Sequence, residues 1–461
     1  MSMHCYSPLG KVRTAVIICC LILILSIFAY AFITSSNDTV VGKEDILSNV
    51  EIHGNEDYGY TYVSSYVKKY GISNVNSYKI NAIESQLESD FYKELPDERE
   101  LAKETVLLFV EHFYDSIDLN DKGQVTDAVL KCFFASLGDP YAYYRTAEEF
   151  KEYMSGLEGN DEFVGIGVMM NQETLEILMV FPGSGAEEAG IKSRDVIHAV
   201  DGKTLSDLPK EELLALVAGE EGTTVNITVK RGDELLDFTV TRRVLVERSV
   251  YYDMNDDKIG YIQITQFLQT TSSQFIEAVD YCEANGAVAL VIDVRYNPGG
   301  LLSSVVSVID YLTPDADDRR IASFTQSGQE YIYYTSDGHS VDLPIAVICN
   351  EGTASAGELF TAAMRDYGKD GVLDTVIVGT TTYGKGVVQS SYTLYDSSGI
   401  TYTIGYYNPP SDVNFDGIGV IPEVEAKEVE GKDAPLDTAT KEVLKLINTN
   451  GSVAASIGAA A

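Results

Sequence analysis

The chain has 461 residues, of which 45% are hydrophobic and 22% are charged, a balance typical of a globular protein of two or three domains. Its net charge of −37 argues against nucleic-acid partners and against docking on anionic lipid, because there is no basic field to attract phosphates. No Cys-x-x-Cys or His-x-x-x-His pair indicates a zinc site.

An uncharged apolar segment from Thr14 to Thr34 is long enough to cross a bilayer as a helix. Lys11 and Arg13 precede it and acidic residues follow it, so the positive-inside rule places the N-terminus in the cytoplasm. A cleaved signal peptide is the alternative, since Ala29-Tyr-Ala31 provides a small-x-small site. We expect a single-pass cell-membrane protein with a cytoplasmic tail at 1–13, a transmembrane helix at 14–34, and the remainder outside the cytoplasm.

Residues 35–96 are polar with weak periodicity, and we interpret them as a juxtamembrane stalk or an accessory layer. Apolar residues from Glu98 to Leu137 recur at helical spacing and predict two helices with a break near Asn120-Asp-Lys-Gly123. Outside the membrane segment and tail, the cysteines lie at 132, 282 and 349 in mostly apolar settings, which predicts buried free thiols.

The segment 161–247 begins with Phe163-Val-Gly-Ile-Gly-Val168, which resembles the carboxylate-binding loop of a PDZ domain. Pro182-Gly-Ser-Gly-Ala-Glu-Glu-Ala-Gly-Ile191 and a strand-rich remainder follow in PDZ order. A structural β-domain whose glycines only turn corners is the alternative. The candidate peptide-binding residues are Val164, Gly165, Ile166, Gly167 and Val168.

A candidate nucleophile, Ser355, lies in Asn350-Glu-Gly-Thr-Ala-Ser-Ala-Gly-Glu358. The apolar run Ile345-Ala-Val-Ile-Cys349 predicts a buried strand before it, and Ala356 to Met364 has a helical pattern. A strand, turn and helix in this order would present the hydroxyl at a helix N-terminus, where backbone amides can hold a developing oxyanion.

A candidate base, Lys385, lies in Thr382-Tyr-Gly-Lys-Gly-Val-Val-Gln389, after a second buried run at Val376-Ile-Val-Gly379. A lysine whose charge is disfavoured by burial can take a proton from serine as a neutral amine. A Ser/His/Asp triad remains an alternative, because its members need only meet in space, although the sequence Gly-x-Ser-x-Gly is absent.

A third motif is Leu290-Val-Ile-Asp-Val-Arg-Tyr-Asn-Pro-Gly-Gly-Leu301. It predicts a strand followed by a turn whose backbone amides can face a cleft.

These three motifs, together with Ile259-Gly-Tyr-Ile-Gln-Ile-Thr-Gln-Phe267 and Gly417-Ile-Gly-Val-Ile-Pro-Glu423, resemble those of the C-terminal processing peptidases, or tail-specific proteases. The resemblance runs from about Leu101 to about Leu446. It implies an α/β multidomain protein, in which a helical segment and a β-rich PDZ domain precede a protease body of the spiral type found in the crotonase and Clp-protease group.

The same resemblance implies the roles of individual residues. Ser355 would be the nucleophile and Lys385 the general base, with Gln389 orienting the amine; the Ala356 amide and an amide of Gly299 or Gly300 would form the oxyanion hole. No metal or cofactor would be needed, and the substrates would be proteins or peptides with free apolar C-termini, with a homo-oligomer possible. The alternatives are a catalytically silent relative that only binds peptides and a crotonase-like acyl-CoA enzyme.

The C-terminal third adds one competing motif, Asp412-Val-Asn-Phe-Asp-Gly-Ile-Gly-Val-Ile-Pro-Glu423, which fits the EF-hand calcium-loop pattern. Pro422 would break the helix that follows an EF-hand loop, so we expect no calcium site there.

Apolar spacing predicts a last helix to Ile447 and a flexible tail beyond it. The predicted segments after the membrane helix are a juxtamembrane region at 35–96, a helical region at 97–160, a PDZ domain at 161–247, a protease core at 248–430, a helix at 431–447 and a tail at 448–461.

Overall fold

The computed structural model describes residues 41–458, except 55, 57, 160–161, 171–174, 182, 193, 205–208, 210–211, 213–214, 247, 317, 327–328, 336–338 and 430–432. The cytoplasmic tail and the membrane helix predicted at 14–34 lie outside these residues. Within the described part of the chain, no helix is long and apolar enough to cross a membrane.

An N-terminal helical layer consists of α1 (Val41–His53), α2 (Val63–Lys69), α3 (Ser77–Asp90), α4 (Glu98–His112) and α5 (Lys122–Ser136). Asp97 and Asp121 begin α4 and α5, where each carboxylate accepts bonds from free backbone amides of the first turn. The predicted break near residues 120–123 is therefore confirmed. The buried faces of these helices share one core with Ile400, Tyr402 and Ile404.

The helices between residues 41 and 90 correct one sequence interpretation. Their apolar residues pack into the same core as α4 and α5, so these residues form an accessory layer and the stalk alternative is wrong for them. The weak periodicity has a physical reason, because α2 has only 7 residues and each of α1 to α3 buries only a narrow apolar stripe.

A β-rich unit follows β1 (Tyr143–Arg145) and α6 (Ala147–Glu158). Its fully buried core includes Ile177, Val200, Val225, Ile227 and Val229. The elements are β2 (Glu162–Gly165), β3 (Val168–Met170), β4 (Ile177–Val180), α7 (Gly185–Ala189), β5 (Val196–Val200), β6 (Thr224–Arg231), β7 (Glu234–Thr241) and β8 (Arg243–Val246).

The α/β body contains β9 (Val250–Met254), β10 (Ile259–Ile264), α8 (Thr271–Ala284), β11 (Ala289–Asp293), α9 (Leu302–Leu312), β12 (Arg320–Gln326), β13 (Gln329–Tyr334), β14 (Ile345–Cys349), α10 (Ala356–Lys369), β15 (Thr375–Gly379), β16 (Val387–Thr393), β17 (Gly399–Asn408), β18 (Val424–Glu425) and α11 (Ala434–Gly458). The central sheet has the order β18-β15-β14-β11-β10-β9 and is parallel except for the antiparallel edge strand β9. A second sheet orders β1-β17-β12-β13, with β16 paired to β17.

Alternate residues of the central strands face two different cores. Ile292 and Val347 pack with α8, α9 and α10 on one face, whereas Val291 and Ile348 pack with α11 on the other. Coverage of both faces explains why these strands appear in the sequence as continuous apolar runs. The described fold is therefore mixed α/β and multidomain; kinship with the crotonase and Clp spiral stays a prediction.

The last helix differs from its predicted extent. It begins at Ala434 and continues to Gly458, whereas the sequence interpretation ended it at Ile447 and predicted a flexible tail from Asn448. Residues 448–458 are mostly weak helix formers with two glycines, which is why the sequence predicted an end at Ile447, whereas adding residues to an existing helix needs no new nucleation.

Candidate active site

Three neighbouring parallel strands bring the candidate site together. β11, β14 and β15 are adjacent in the central sheet, and each is followed by one of the predicted motifs. Because the carboxyl ends of parallel strands meet at one edge of a sheet, the Asn297–Gly300 turn, the Ser355 turn and the Lys385 loop lie at the same edge.

Ser355 occupies a strained turn at the N-terminus of α10. Its φ of 55° and ψ of −121° lie in a region that residues with a side chain rarely adopt. Ala356 is the first residue of the helix, so its amide belongs to the group of free N–H donors at this terminus. Ser355 is half-buried.

Glu358, which the sequence interpretation missed, connects the serine turn to the lysine loop. One carboxylate oxygen accepts from the amides of Ser355 at 3.0 Å and Lys385 at 2.7 Å. The other accepts from the Gly384 amide at 2.6 Å and the Thr382 hydroxyl at 2.5 Å. Burial raises the pKa of this carboxyl above its usual value, while these donors oppose the rise. A single side chain therefore fixes the backbone of both candidate residues.

Tyr407 makes a second connection between the serine and the lysine. Its hydroxyl donates to the Lys385 carbonyl at 2.7 Å and is also hydrogen-bonded with the Ser355 side chain. Burial raises the pKa of this phenol well above its usual value, so the hydroxyl stays protonated. Sequence reasoning offered no signal for this contact, because Tyr407 belongs to the second sheet.

The backbone amides of Gly299 and Gly300, the two candidate oxyanion donors of this turn, have different surroundings. The Gly299 amide donates to the Asn297 side chain at 2.8 Å, so this amide already has a partner within the turn. A Cβ on Gly299 would lie 2.6 Å from Ser355 Cβ and 2.9 Å from the Ala356 amide nitrogen. Gly299 therefore provides close contact with the serine, and Gly300 is left as the candidate donor beside Ala356.

Gln389 lies in β16, close in sequence to Lys385 but anchored to the second sheet. Its Nε2 donates to the Val387 carbonyl at 3.2 Å and the Thr403 hydroxyl at 3.3 Å. These bonds fix the amide and make its Oε1 the atom able to accept from an amine.

The described histidines make their contacts elsewhere. His53 bonds with Glu56 and Tyr58, and the ring of His339 stacks on Tyr311 with centroids 3.8 Å apart. His112 pairs with Glu111, and His198 is exposed in β5. No histidine–Ser355 bond exists among the residues that the structure describes.

The described thiols at 132, 282 and 349 are free and buried, as predicted. Burial raises the pKa of Cys282 to about 11 and that of Cys349 to about 12. They are therefore poor nucleophiles at neutral pH.

The residues of the EF-hand pattern take separate protein partners. Asp412 pairs with Arg320 at 3.0 Å, Asp416 accepts from the Gly386 amide at 3.0 Å, and Glu423 accepts from the Ile377 amide at 2.9 Å. In the described ranges, no group of three acidic, histidine or cysteine side chains could hold a metal ion.

The candidate peptide-binding loop divides between a strand and a turn. Val164 and Gly165 belong to β2 and pair with β8, and Val168 begins β3. Ile166 is buried in the core of the β-rich unit, and Gly167 turns with a φ of 82°. The carbonyls of Ile166 and Gly167 accept from Ala186 and Phe181, which fixes the loop.

Comparison with known proteins identifies relatives of two parts of the chain. The profile of peptidase family S41 matches residues 258–426, and that of a PDZ domain matches residues 163–241. The carboxy-terminal processing protease CtpA of Bacillus subtilis (strain 168) is 30% identical over 352 residues, covering 76% of this chain and 68% of the relative. A probable CtpA-like serine protease of Staphylococcus haemolyticus (strain JCSC1435) is 32% identical over 333 residues, covering 71% of this chain and 65% of the relative.

Among solved structures, a photosystem II D1 C-terminal processing protease is 25% identical, with a TM-score of 0.41 over 74% of this chain and 90% of that chain. The sequence relatives carry the assignment. The chain belongs to the serine peptidases of family S41, among the PDZ-containing C-terminal processing peptidases.

Proposed function

We propose that this chain is a membrane-anchored endopeptidase that uses a Ser355/Lys385 dyad and cleaves proteins presented by their C-terminal tails. The observation that carries the proposal is the Glu358 carboxylate, which accepts from the backbone amides of both Ser355 and Lys385. This bridge holds the serine turn and the lysine loop together at the edge of the central sheet.

In the first half of the reaction, Ser355 Oγ attacks the peptide carbonyl carbon and its proton passes to the neutral Lys385 amine. The carbonyl oxygen becomes an oxyanion, which the amides of Ala356 and Gly300 stabilise. The C–N bond then breaks, the leaving amine takes the proton from Lys385, and Ser355 keeps the acyl group as an ester.

In the second half, Lys385 takes a proton from water while the hydroxide attacks the ester carbon. The C–O bond breaks, Ser355 regains a proton from Lys385, and the new carboxyl product leaves. Gln389 orients the lysine amine through Oε1. The steps use side chains, backbone amides and one water molecule.

The PDZ domain supplies the selection of substrates in this account. The Ile166 and Gly167 region presents a glycine-containing turn whose amides suit a terminal carboxylate, and its carbonyls are already used within the domain. A helix at 14–34 would hold the enzyme in the membrane, with the peptidase outside the cytoplasm.

Replacement of each dyad member tests the chemistry. We expect Ser355→Ala and Lys385→Ala each to abolish cleavage of a peptide with a free apolar C-terminus, while circular dichroism shows an unchanged fold. Near-normal turnover by Lys385→Ala would contradict the dyad, and a folded wild-type protein without activity would favour a peptide-binding relative.

Amidation of the same peptide tests the PDZ role. Amidation removes the carboxylate that the loop would bind, so kcat/KM should fall for the amidated form. Equal rates for both forms would show that the domain does not select free C-termini.

A further inference from the structure

An aromatic ring from the N-terminal part of the chain lies against Lys385. Tyr141, in the connection between α5 and β1, has its ring centroid 4.0 Å from Lys385 Nζ. A cation within about 6 Å of an aromatic face is attracted by the ring quadrupole. We propose that Tyr141 is a positioning residue for the catalytic base, holding the Lys385 ammonium on its ring face; this rests on Lys385 acting as the base.

The backbone of Tyr141 is fixed to the second sheet by Asp139. The carboxylate of Asp139 accepts from the Tyr141 amide at 3.0 Å and from the Thr403 amide at 3.1 Å. The Thr403 hydroxyl in turn accepts from Gln389 at 3.3 Å. The connection from the helical layer and the strand that carries Gln389 are thereby joined beside the lysine.

The ring itself is held at its hydroxyl, which is hydrogen-bonded with Tyr383. Burial raises the pKa of Tyr141 above its usual value, so the phenol stays neutral where a lysine titrates. The ring therefore acts on the ammonium through its face, without a negative charge of its own.

Other titratable groups also surround the lysine loop, and among them only Tyr383 loses a hydrogen bond when the Tyr141 side chain is replaced. Glu358 accepts from the Lys385 amide, Asp416 from the Gly386 amide, and Tyr407 donates to the Lys385 carbonyl. Tyr383 and Asp139 contact Tyr141 or its backbone. Tyr141→Phe and Tyr141→Leu both lose the bond to Tyr383, so the difference between these two variants isolates the ring.

The proposed contact should shift the pKa of Lys385 in one definite direction. Stabilisation of the ammonium raises the pKa of the lysine, so the ring reduces the fraction of neutral base at a given pH. Removal of the ring should lower the pKa and extend activity to lower pH. A residue with a purely structural role would change the rate without moving the pH profile.

The test compares Tyr141→Leu with Tyr141→Phe, which keeps the ring. We expect the acid limb of kcat/KM against pH to coincide for wild type and Tyr141→Phe, and to move down by about 0.4 to 1.5 pH units in Tyr141→Leu. An acid limb at the same pH in all three proteins would overturn the proposal. Tyr141→Met replaces Tyr141→Leu if thermal melts show that the leucine variant does not fold.

A titration that needs no activity separates this proposal from the dyad itself. In the Ser355→Ala background, reductive methylation followed by mass spectrometry reports the neutral fraction of Lys385 at each pH. Tyr141→Leu should again shift this titration down, and an unchanged titration would overturn the role of Tyr141. Full peptidase activity of Lys385→Ala would instead overturn the proposed function, whatever the titration shows.

Discussion

At the scale of single residues, Glu358 does most to organise the candidate site. Its two oxygens accept four bonds, from Ser355, Thr382, Gly384 and Lys385. The strained backbone of Ser355 persists only because its surroundings determine it, and Glu358 is one of those surroundings. Loss of acceptor capacity at Glu358 should therefore disturb the serine and the lysine together.

We predict that Glu358→Gln lowers kcat/KM by roughly a hundredfold and lowers the free energy of unfolding by about 1–3 kcal/mol. The glutamine amide has nearly the same shape, but its NH₂ group faces donors that need an acceptor. Peptide cleavage and urea unfolding measure the two effects.

Glu148→Gln, an exposed change in α6, is the matched control and should alter neither quantity. Wild-type kcat/KM in Glu358→Gln would mean that the bridge does not position the dyad.

Part of the hydrogen bonding around Ser355 and Glu358 could be predicted from the sequence. Ser355-Ala-Gly-Glu358 fits the Ser-x-x-Glu pattern of a capping box, which could have identified the bond that the Ser355 amide donates to Glu358. The bonds to Gly384 and Lys385 join segments far apart in sequence, as do the contacts of Tyr407 and Tyr141. No local pattern encodes such contacts, because they depend on how the two sheets and the helical layer pack.

At the scale of elements, a buried ion network attaches α11 to the turn after β11. Arg295 is buried between Asp293 and Asp433, with Nη1 at 2.8 Å from Asp433 and Nη2 at 2.6 Å from Asp293. The two acidic partners raise the pKa of Arg295 against the effect of its burial, so it stays charged. Asp433 also accepts from the Leu436 amide in the first turn of α11.

We predict that Asp433→Asn destabilises the protein by about 3–5 kcal/mol, because it leaves a buried guanidinium without one of its charges. Activity should fall as well, since Tyr296 to Gly300 directly follow Arg295. Thermal unfolding and peptide cleavage check both results.

Glu425→Gln is the matched control, because Glu425 pairs with Lys427 on the surface and both side chains are mostly exposed. If Asp433→Asn and Glu425→Gln have the same unfolding temperature, the network does not hold the helix.

A second element-scale contact gives a pH dependence. Glu84 in α3 is buried and accepts from the Val63 amide that begins α2. Burial raises the pKa of Glu84 from 4.5 to about 7. The folded protein therefore binds a proton more readily than the unfolded chain, so the stability present below pH 4.5 is lost as the pH rises through 7.

We predict that the unfolding free energy of wild type, relative to that of Glu84→Gln, falls by up to about 3 kcal/mol between pH 4.5 and pH 8. The glutamine is neutral throughout and keeps one acceptor for the Val63 amide, so the difference isolates this carboxyl. Urea unfolding at several pH values measures it. A constant difference across this range would contradict the raised pKa.

The elements themselves were largely predictable, and the reasons are visible in particular strands. Ile345–Cys349 was predicted residue for residue, because a strand buried on both faces has no polar interruption. Helices α1 to α3 were not predicted, since each buries few apolar residues. Their apolar residues pack in a core shared with α4, α5 and β17, and β17 lies more than 300 residues further along the chain.

At the scale of the whole molecule, the candidate site draws on distant parts of the chain. The serine, lysine and glycine motifs follow strands of the central sheet, and Gln389 and Tyr407 belong to the second sheet. Tyr141 comes from the connection between α5 and β1. The β-rich PDZ unit contacts the body through Phe181, whose ring lies 5.6 Å from that of Tyr251 in β9. The helical layer and the two sheets thus act as one scaffold for the site.

In the proposed mechanism, Ser355 is a nucleophile activated by Lys385. A fluorophosphonate probe, followed by mass spectrometry of the labelled peptide, tests it most directly, because the probe needs an activated serine and no knowledge of the substrate. We predict a single adduct on Ser355 in the wild-type protein and none in folded Lys385→Ala. An adduct on another serine, or undiminished labelling of Ser355 in Lys385→Ala, would contradict the account.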